Sequence, residues 1–192
     1  TEDSLNLSAK TQKEAEKIIA NCMIITNEAI ADYTLNLCLI SIYRNHEIPM
    51  DEKLRVTLKL IKSIGYKIEC LKDTTDPHVL QKIINSLSTK EEFFILSSLL
   101  LRSMQKAIYD TNNIGHFGLA SERYTHFTSP IRRFPDTTVH RLLRKYLFKA
   151  QIDKDSIMSE EQKLPYIAEH SSKKERDSID CEREVDDMKK AE

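Results

Sequence analysis

Glycine, proline and long apolar stretches are all scarce in this chain, and each shortage excludes a class of protein. Three glycines and five prolines in 192 residues supply too few tight turns for a many-stranded β-sandwich, so helices should dominate. No apolar run approaches the roughly 18 residues that span a bilayer, and residues 1–10 lack the charged-then-apolar order of a signal peptide. We therefore expect a cytoplasmic protein without a membrane partner.

Cysteine is also sparse, and its distribution argues against a zinc or redox site. No two of the four cysteines form the C-x-x-C pair that clamps zinc or exchanges disulfides. The six histidines lack ligand spacing as well. Buried thiols are therefore the expected role, with a metal site as the alternative, for Cys22, Cys38, Cys70 and Cys181.

The formal net charge of -1 hides a strong asymmetry along the chain. Residues 116–149 contain seven arginines and lysines against two acidic residues, whereas residues 153–192 contain 13 acidic and 8 basic residues. A basic stretch inside a near-neutral chain is typical of a local contact with a polyanion. A solvated helix face would produce the same pattern, so both interpretations stay open.

Local patterns predict a predominantly helical α+β fold that forms one unit over residues 1–192. Capping residues, apolar periodicity and stop signals place helices at 11–33, with a buried apolar stripe, and at 51–64, 76–88, 93–109 and 130–150. A charged helix is predicted at about 165–192, and an isoleucine-rich run predicts a strand at 37–43. Gly115 and Gly118 mark residues 110–128 as the longest loop.

The most informative segment is 115–143, GHFGLASERYTHFTSPIRRFPDTTVHRLL. If residues 130 onward are helical, Arg132, Asp136 and His140 are spaced i, i+4 and i+8 and share one face. Asp136 would then fix the guanidinium of Arg132, whose free donors could meet a phosphate in bidentate geometry. The same spacing predicts an adjacent stripe of phosphate contacts at Arg133, Thr137 and Arg141.

Rings and hydroxyls alternate just before this predicted helix, in the mixture that stacks unpaired bases and contacts sugars or phosphates. They are Tyr124, His126, Phe127, Thr128 and Ser129. Structural roles would also explain these residues: rings beside an apolar helix are usually buried, hydroxyls cap helices, and an arginine one turn from an aspartate forms a surface ion pair. Residue chemistry alone therefore reaches phosphate binding and leaves the ligand open.

The same segment resembles the signature of the RNB exoribonuclease family. The resemblance rests on three ordered runs, His116–Ala120, Tyr124–Asp136 and His140–Arg141. The sequence departs from the family pattern at Ala20 and Asn21, where acidic residues are usual. Further blocks that match the family in order lie at 15–29, 43–49, 100–109 and 170–185.

The resemblance implies processive 3′-to-5′ hydrolysis of single-stranded RNA to nucleoside monophosphates, with Mg²⁺ ions held by a cluster of aspartates. Carried over by position, Arg132 is the catalytic arginine that neutralises charge on the scissile phosphate. Glu182 falls where a family acidic residue lies along the RNA path. The other candidate RNA-binding residues of the motif segment are His116, Tyr124, Thr128, Ser129, Arg133, Asp136, His140 and Arg141.

In the family, the aspartate cluster precedes the block at Ala15, and an OB-type RNA-binding module follows the block at Glu182. The chain thus resembles the C-terminal half of the catalytic domain, whose partners would be the N-terminal half and that module. By itself it is expected to hold no magnesium and to be inactive. Two alternatives stay open: a non-catalytic module for single-stranded RNA, and a helical interaction scaffold that docks a partner through the charged helix.

Overall fold

The computed structural model describes residues 13–66, 76–88, 92–148 and 153–191, and within them the fold is predominantly helical. A small antiparallel sheet pairs β1 (Tyr43–Asn45) with β2 (Ile108–Asp110). The expected α+β class is therefore confirmed. None of the described helices combines the length and apolar character needed to cross a bilayer. The helices are α1 (Glu14–Asn36), α2 (Asp51–Ser63), α3 (Pro77–Leu87), α4 (Phe93–Ser103), α5 (Phe134–Leu143) and α6 (Lys154–Ala191).

Two apolar clusters hold these elements together, and each fully buried aliphatic side chain contributes about 1.5–3 kcal/mol. The first cluster joins α2, α3 and α4. The second joins Ile42 and Tyr109 to α5, the π-helical turn Arg144–Phe148 and α6. The loop between β2 and α5 connects them, because Phe117 belongs to the first cluster and Phe127 packs against the second.

The local helix signals of α2 and α3 are confirmed. Helix α2 stops before Gly65, whose φ of 106° lies in the left-handed region that favours glycine. Helix α3 starts at Pro77, and the Asp76 side chain caps it by accepting a hydrogen bond from the backbone N–H of His78 at 2.8 Å.

Predictions that depended on long-range pairing were wrong. The predicted strand at 37–43 is displaced, since β1 begins at Tyr43, and the predicted helix at 93–109 ends at Ser103. Beyond it, Ile108 pairs with Asn45, and the Nε2 of His46 donates a hydrogen bond to the carbonyl of Gln105 at 2.7 Å. Pairing with β1 therefore competes with continuation of the helix.

The buried stripe predicted on α1 was also wrong. Ile18 and Ile19 of that stripe are 63% and 61% exposed, and the buried positions of this helix are Asn27, Ala31 and Thr34. These three share one face at i, i+4 and i+7, on which Asn27 bonds to the β2–α5 loop and the hydroxyl of Thr34 lies 3.4 Å from that of Tyr43. Polar contacts rather than apolar periodicity therefore decide which face is inward. Three of the cysteines predicted to be buried are exposed, namely Cys22, Cys38 and Cys181, and Cys70 lies outside the described residues.

The last two helices differ from prediction at their N-terminal ends. Helix α5 begins at Phe134 rather than at residue 130, because residues 129–133 form a hydrogen-bonded turn. Helix α6 begins at Lys154, eleven residues before Pro165, which it accommodates internally. Leu164 and Ala168 flank that proline and are buried in the second cluster, so tertiary packing compensates for its missing N–H.

Asn27 attaches the β2–α5 loop to α1. Its Nδ2 donates to the hydroxyl of Tyr124 at 2.9 Å, and its Oδ1 accepts from the backbone N–H groups of Phe127 at 3.0 Å and Thr128 at 3.2 Å. The amide is buried and satisfies three groups that would otherwise lack partners. One side chain thus fixes the loop immediately before the turn at residues 129–133, the motif turn.

We expect Asn27→Ala to lower the free energy of unfolding by about 2–3 kcal/mol, because it leaves buried N–H groups of the loop unpaired. Chemical denaturation monitored by circular dichroism measures this change. Asn21→Ala is the matched control, since Asn21 is exposed on the same helix, and it should stay within about 0.5 kcal/mol of the native chain. Equal effects of the two substitutions would contradict the role of Asn27.

Candidate nucleic-acid groove

Strand β1 holds the start of the β2–α5 loop through main-chain hydrogen bonds. The N–H of Arg44 donates to the carbonyl of Tyr124 at 2.9 Å, and the N–H of His46 donates to the carbonyl of Gly115 at 3.0 Å. The hydroxyl of Thr125 donates to the carbonyl of Ile42 at 2.5 Å. The loop is therefore built into the fold, although it has little regular secondary structure.

Gly118 is required by the close approach of the His46 ring. Its N–H donates to the Nδ1 of His46 at 2.8 Å, and a Cβ at this position would lie only 2.8 Å from the same nitrogen. The ring is held on its other side by the carbonyl of Gln105, so it cannot retreat. These two bonds make Nδ1 the acceptor and Nε2 the donor, which assigns a neutral tautomer.

Residues 129–133 form a tight turn that Asp136 closes. The carbonyl of Ser129 accepts from the N–H groups of Arg132 at 3.3 Å and Arg133 at 3.1 Å. The Oδ2 of Asp136 accepts from the N–H of Ser129 at 2.8 Å, and the hydroxyl of Thr137 donates to the carbonyl of Pro130 at 2.7 Å. The carboxyl of Asp136 is 0% exposed, so it acts on the turn from inside the protein.

The predicted contact between Arg132 and Asp136 is not formed. Arg132 precedes α5, and the i, i+4 proximity of a helix does not apply to a residue in the turn before it. The Oδ2 of Asp136 instead lies 3.0 Å from the Nη2 of Arg133. Asp136 thus positions Arg132 indirectly, through the turn, and neutralises the charge of Arg133.

The remaining members of the two predicted stripes also diverge. His140 donates from Nε2 to the carbonyl of Phe127 at 2.9 Å and stacks on the Phe127 ring at 3.9 Å between centroids. This contact takes it away from Arg132. Arg141 is exposed, with its guanidinium carbon 5.9 Å from the ring centroid of Phe134.

Arg132 lies in a groove of about 710 Å³ between the motif turn and α6. Its side chain is exposed and makes no hydrogen bond or ion pair with any other described residue. The guanidinium is therefore available to an anionic ligand, as the predicted role requires. The groove is lined by Tyr109, Arg132, Arg133, Phe134, Pro135, His170, Ser171, Lys174, Glu175, Ser178 and Ile179.

Sequence reasoning missed Tyr109 and Glu175 as residues of this groove, and Arg44 as the partner of both. Glu175 accepts two hydrogen bonds from the guanidinium of Arg44, at 2.6 and 3.1 Å, and that guanidinium lies 4.5 Å from the centroid of the Tyr109 ring. Arg44 and Tyr109 fell within the family-like blocks, which was their only signal. Glu175 fell within the block at 170–185 in the same way, but no local pattern paired it with Arg44, which lies 131 residues away.

Glu182 continues the face of α6 that lines the groove. It follows Ser178 by four residues and Ile179 by three, the spacings that place helical side chains on one face. It is exposed and falls one turn beyond the last lining residues. The predicted position of Glu182 along the path of a ligand therefore stays a prediction that this geometry accommodates.

Of the predicted RNA contacts upstream, Tyr124 is unavailable for base stacking. Its ring is 5% exposed and packs edge-on against His116 at 5.2 Å and His126 at 5.8 Å between centroids. His116 is itself half-buried, and the hydroxyl of Thr128 is buried without a hydrogen-bond partner among the described residues. These residues therefore have structural roles inside the fold. Ser129 contributes to the turn through its backbone N–H and carbonyl.

The histidines of this packed layer are held neutral by their surroundings. Burial, with the nearby His46, lowers the pKa of His116 to about 4, and burial together with Arg133 lowers the pKa of His126 to about 2. Burial raises the pKa of Tyr109 to about 12, and its hydroxyl is hydrogen-bonded to the Nδ1 of His126 at 2.9 Å. The layer is therefore uncharged at neutral pH.

The free energy of unfolding should fall as the pH decreases from about 7 to 5. In the unfolded chain these histidines become protonated below their ordinary pKa of 6.5. In the folded chain His116 becomes protonated only near pH 4 and His126 only near pH 2, so the unfolded state binds more protons between these values and is favoured as the pH falls. Denaturant titrations at several pH values measure the slope. His126→Gln should flatten it and exposed His78→Gln should not, and an unchanged slope in both variants would contradict this assignment.

Three cations of the basic segment form ion pairs within the protein. Arg123 pairs with Asp32, Arg133 with Asp136 and Lys145 with Glu160. The formal charge excess of the segment is therefore larger than the unpaired positive charge that a ligand can contact. Lys149 lies outside the described residues. The segment's arginines that stay exposed without an ion pair are Arg132, Arg141 and Arg144.

The described residues do not fit a magnesium site of their own. Nowhere in these parts of the chain do three or more histidine, cysteine, aspartate or glutamate side chains converge as a metal ion requires. The carboxylates of the groove are already used, since Glu175 binds Arg44. No catalytic step can be derived through a metal held by these residues alone.

Comparison with known proteins decides the family. A model of the RNB domain matches residues 1–149. The chain belongs to the RNB family. Ribonuclease R 1 of Lactococcus lactis is 43% identical over 188 residues, which cover 98% of this chain and 23% of that protein. The resemblance seen in the sequence is thereby confirmed.

Solved RNB structures share the fold described above. Mycoplasma genitalium RNase R in complex with double-stranded RNA has a TM-score of 0.86 and 33% identity, covering 93% of this chain and 32% of that one. The complex of the same protein with ribose-methylated single-stranded RNA has a TM-score of 0.82 and 31% identity, covering 93% and 28%. The chain spans about a quarter of the length of the curated relatives it matches.

The partner of Asp136 in this RNB chain can be tested by double-mutant cycles. We expect Arg133→Met and Asp136→Asn to couple by about 1–3 kcal/mol in the free energy of unfolding, since they remove two halves of one buried ion pair. Arg132→Met should couple to Asp136→Asn by less than about 0.5 kcal/mol. Strong coupling to Arg132 instead would restore the contact that helical spacing predicted.

Proposed function

We propose that this chain forms part of the active site of a processive 3′-to-5′ exoribonuclease, in which Arg132 contacts the scissile phosphate of single-stranded RNA. The observation that carries the proposal is an exposed, unpaired guanidinium in a groove between two structural elements. Its geometry is fixed by a turn that a buried carboxylate closes. A preorganised cation needs no rearrangement when charge develops on a reacting phosphate.

Two observations support RNA as the ligand: the side chains that line the groove, and the similarity of the chain to ribonucleases. The groove offers guanidinium and ammonium groups together with the exposed ring of Phe134 and the imidazole of His170, which suits a strand that presents both phosphates and bases. The family relatives are ribonucleases, and the Mycoplasma genitalium protein is solved with RNA. Release of nucleoside monophosphates and a cytoplasmic location complete the proposal.

The proposal places the metal chemistry outside the described residues. In the complete enzyme, Mg²⁺ would be held by aspartates of the N-terminal half of the catalytic domain, and an OB-type module would follow Glu182 and bind RNA. Magnesium activates the attacking water and stabilises the leaving oxygen when it is bound. The chain alone is therefore proposed to bind RNA without hydrolysing it.

A chimera tests this role in a complete enzyme. The chain would replace its matched segment in Lactococcus lactis ribonuclease R, to which it is 43% identical, and RNA hydrolysis would be followed by nucleotide release. In an active chimera, Arg132→Ala should lower kcat by about 10²–10³-fold, equivalent to about 3 kcal/mol of lost transition-state stabilisation. Exposed Arg144→Ala, outside the groove, is the matched control and should leave kcat unchanged.

Unchanged turnover of the Arg132→Ala chimera would refute the catalytic assignment. The chain by itself should release no nucleotide in the presence of Mg²⁺, and release by the isolated chain would overturn the proposed division of the active site. Nucleotide release by the chimera, together with a measurement of RNA binding, separates the alternatives. A non-catalytic RNA-binding module, favoured by the lack of a metal cluster in the described residues, gives an inactive chimera that still binds RNA, whereas a helical scaffold binds no RNA even at low salt.

A further inference from the structure

Three groove residues besides Arg132 carry charge, and their partners differ in strength. Arg133 is neutralised by the buried carboxylate of Asp136, and Glu175 is neutralised by the bidentate contact with Arg44. The third is Lys174 on α6. Within the described ranges its one ion pair is with Asp177, one turn away at 3.1 Å, and both side chains are more than half exposed.

Lys174 is therefore available to a ligand at little cost. An exposed pair of this kind is worth about 0–1 kcal/mol and is screened by salt, so a phosphate can replace Asp177. Glu175, the next residue along α6, does not cancel the ammonium charge because Arg44 already holds its carboxylate. Among the described residues of the groove, the cations that internal pairing leaves available are therefore Arg132 on the turn and the weakly paired Lys174 on the helix.

We propose that Lys174 is a second phosphate-binding residue of the groove, so that one RNA backbone is held between Arg132 on the motif turn and Lys174 on α6. This inference rests on the proposed function and assigns α6 a direct part in it. The lining face of α6 runs from His170 to Ile179, roughly 13 Å at 1.5 Å per residue. A wall of that length spans more than one phosphate of a strand in the groove.

The chemistry of the contact predicts what Lys174 does and does not read. An ammonium group binds phosphate as a point charge, and a phosphate contact does not distinguish one base from another. Its loss should weaken all RNA sequences alike and reduce the number of counterions released on binding. Arg132 has a fork of donors and faces the bond that reacts, whereas Lys174 would only hold the strand.

Lys173 provides a matched control one residue away, because it is an exposed lysine of the same helix that does not line the groove. Binding of fluorescent oligo(U) and oligo(A) to the 192-residue chain would be measured by anisotropy from about 50 to 200 mM salt. We expect Lys174→Ala to raise Kd about 3- to 10-fold for both oligomers and to lower the salt slope by about 0.7, the value for one phosphate of a single strand. Lys173→Ala should change neither quantity.

Lys174→Glu is a second variant at the same position, and it should raise Kd further than Lys174→Ala. Because the side chain is exposed, thermal unfolding should match the native chain in both variants. Equal effects of Lys173→Ala and Lys174→Ala, with Arg132→Ala still weakening binding, would overturn the role of Lys174 and leave the proposed function intact. Failure of the native chain to bind either oligomer at the lowest salt would refute the proposed function itself.

Discussion

The buried carboxylate of Asp136 is the constraint on which the groove depends. A charged group that is fully removed from water must be paired and hydrogen-bonded, and the Oδ2 of Asp136 meets this requirement by accepting hydrogen bonds from the N–H of Ser129 and the guanidinium of Arg133. Both partners come from the same five-residue turn. The carboxylate therefore fixes the turn and draws one arginine inward, which leaves the adjacent arginine, Arg132, directed to the groove.

Internal ion pairing also neutralises charge on the α6 side of the groove. Arg44 and Glu175 form a bidentate pair that ties β1 to α6 and removes an anionic charge from the groove wall. His116, His126 and Tyr109 stay uncharged at neutral pH, because burial lowers the pKa of both histidines and raises that of the tyrosine, so they add no competing charge. Attraction for a polyanion is thus concentrated on a few unpaired side chains instead of being spread over the basic segment.

Features that depend on neighbouring residues followed from the sequence, and features that depend on distant ones did not. The cap at Asp76, the stop at Gly65 and the long loop at 110–128 arise from local backbone chemistry. The second strand was missed because its partner is more than 60 residues away, and the inward face of α1 was misplaced because Asn27 is buried by loop contacts. Helical spacing likewise paired Asp136 with the wrong arginine, since the helix begins two residues after Arg132.

The sequence by itself determined the family motif, singled out Arg132 as the candidate cation and placed most of the helices. These are properties of residue type and short-range spacing, which survive without knowledge of the fold. Only the tertiary structure decided which cations remain free, because that depends on partners brought together across the chain, such as Arg44 with Glu175 and Arg133 with a carboxylate that folding buries. Burial sets the energetic cost of leaving a charge unpaired, and burial exists only once the chain has folded.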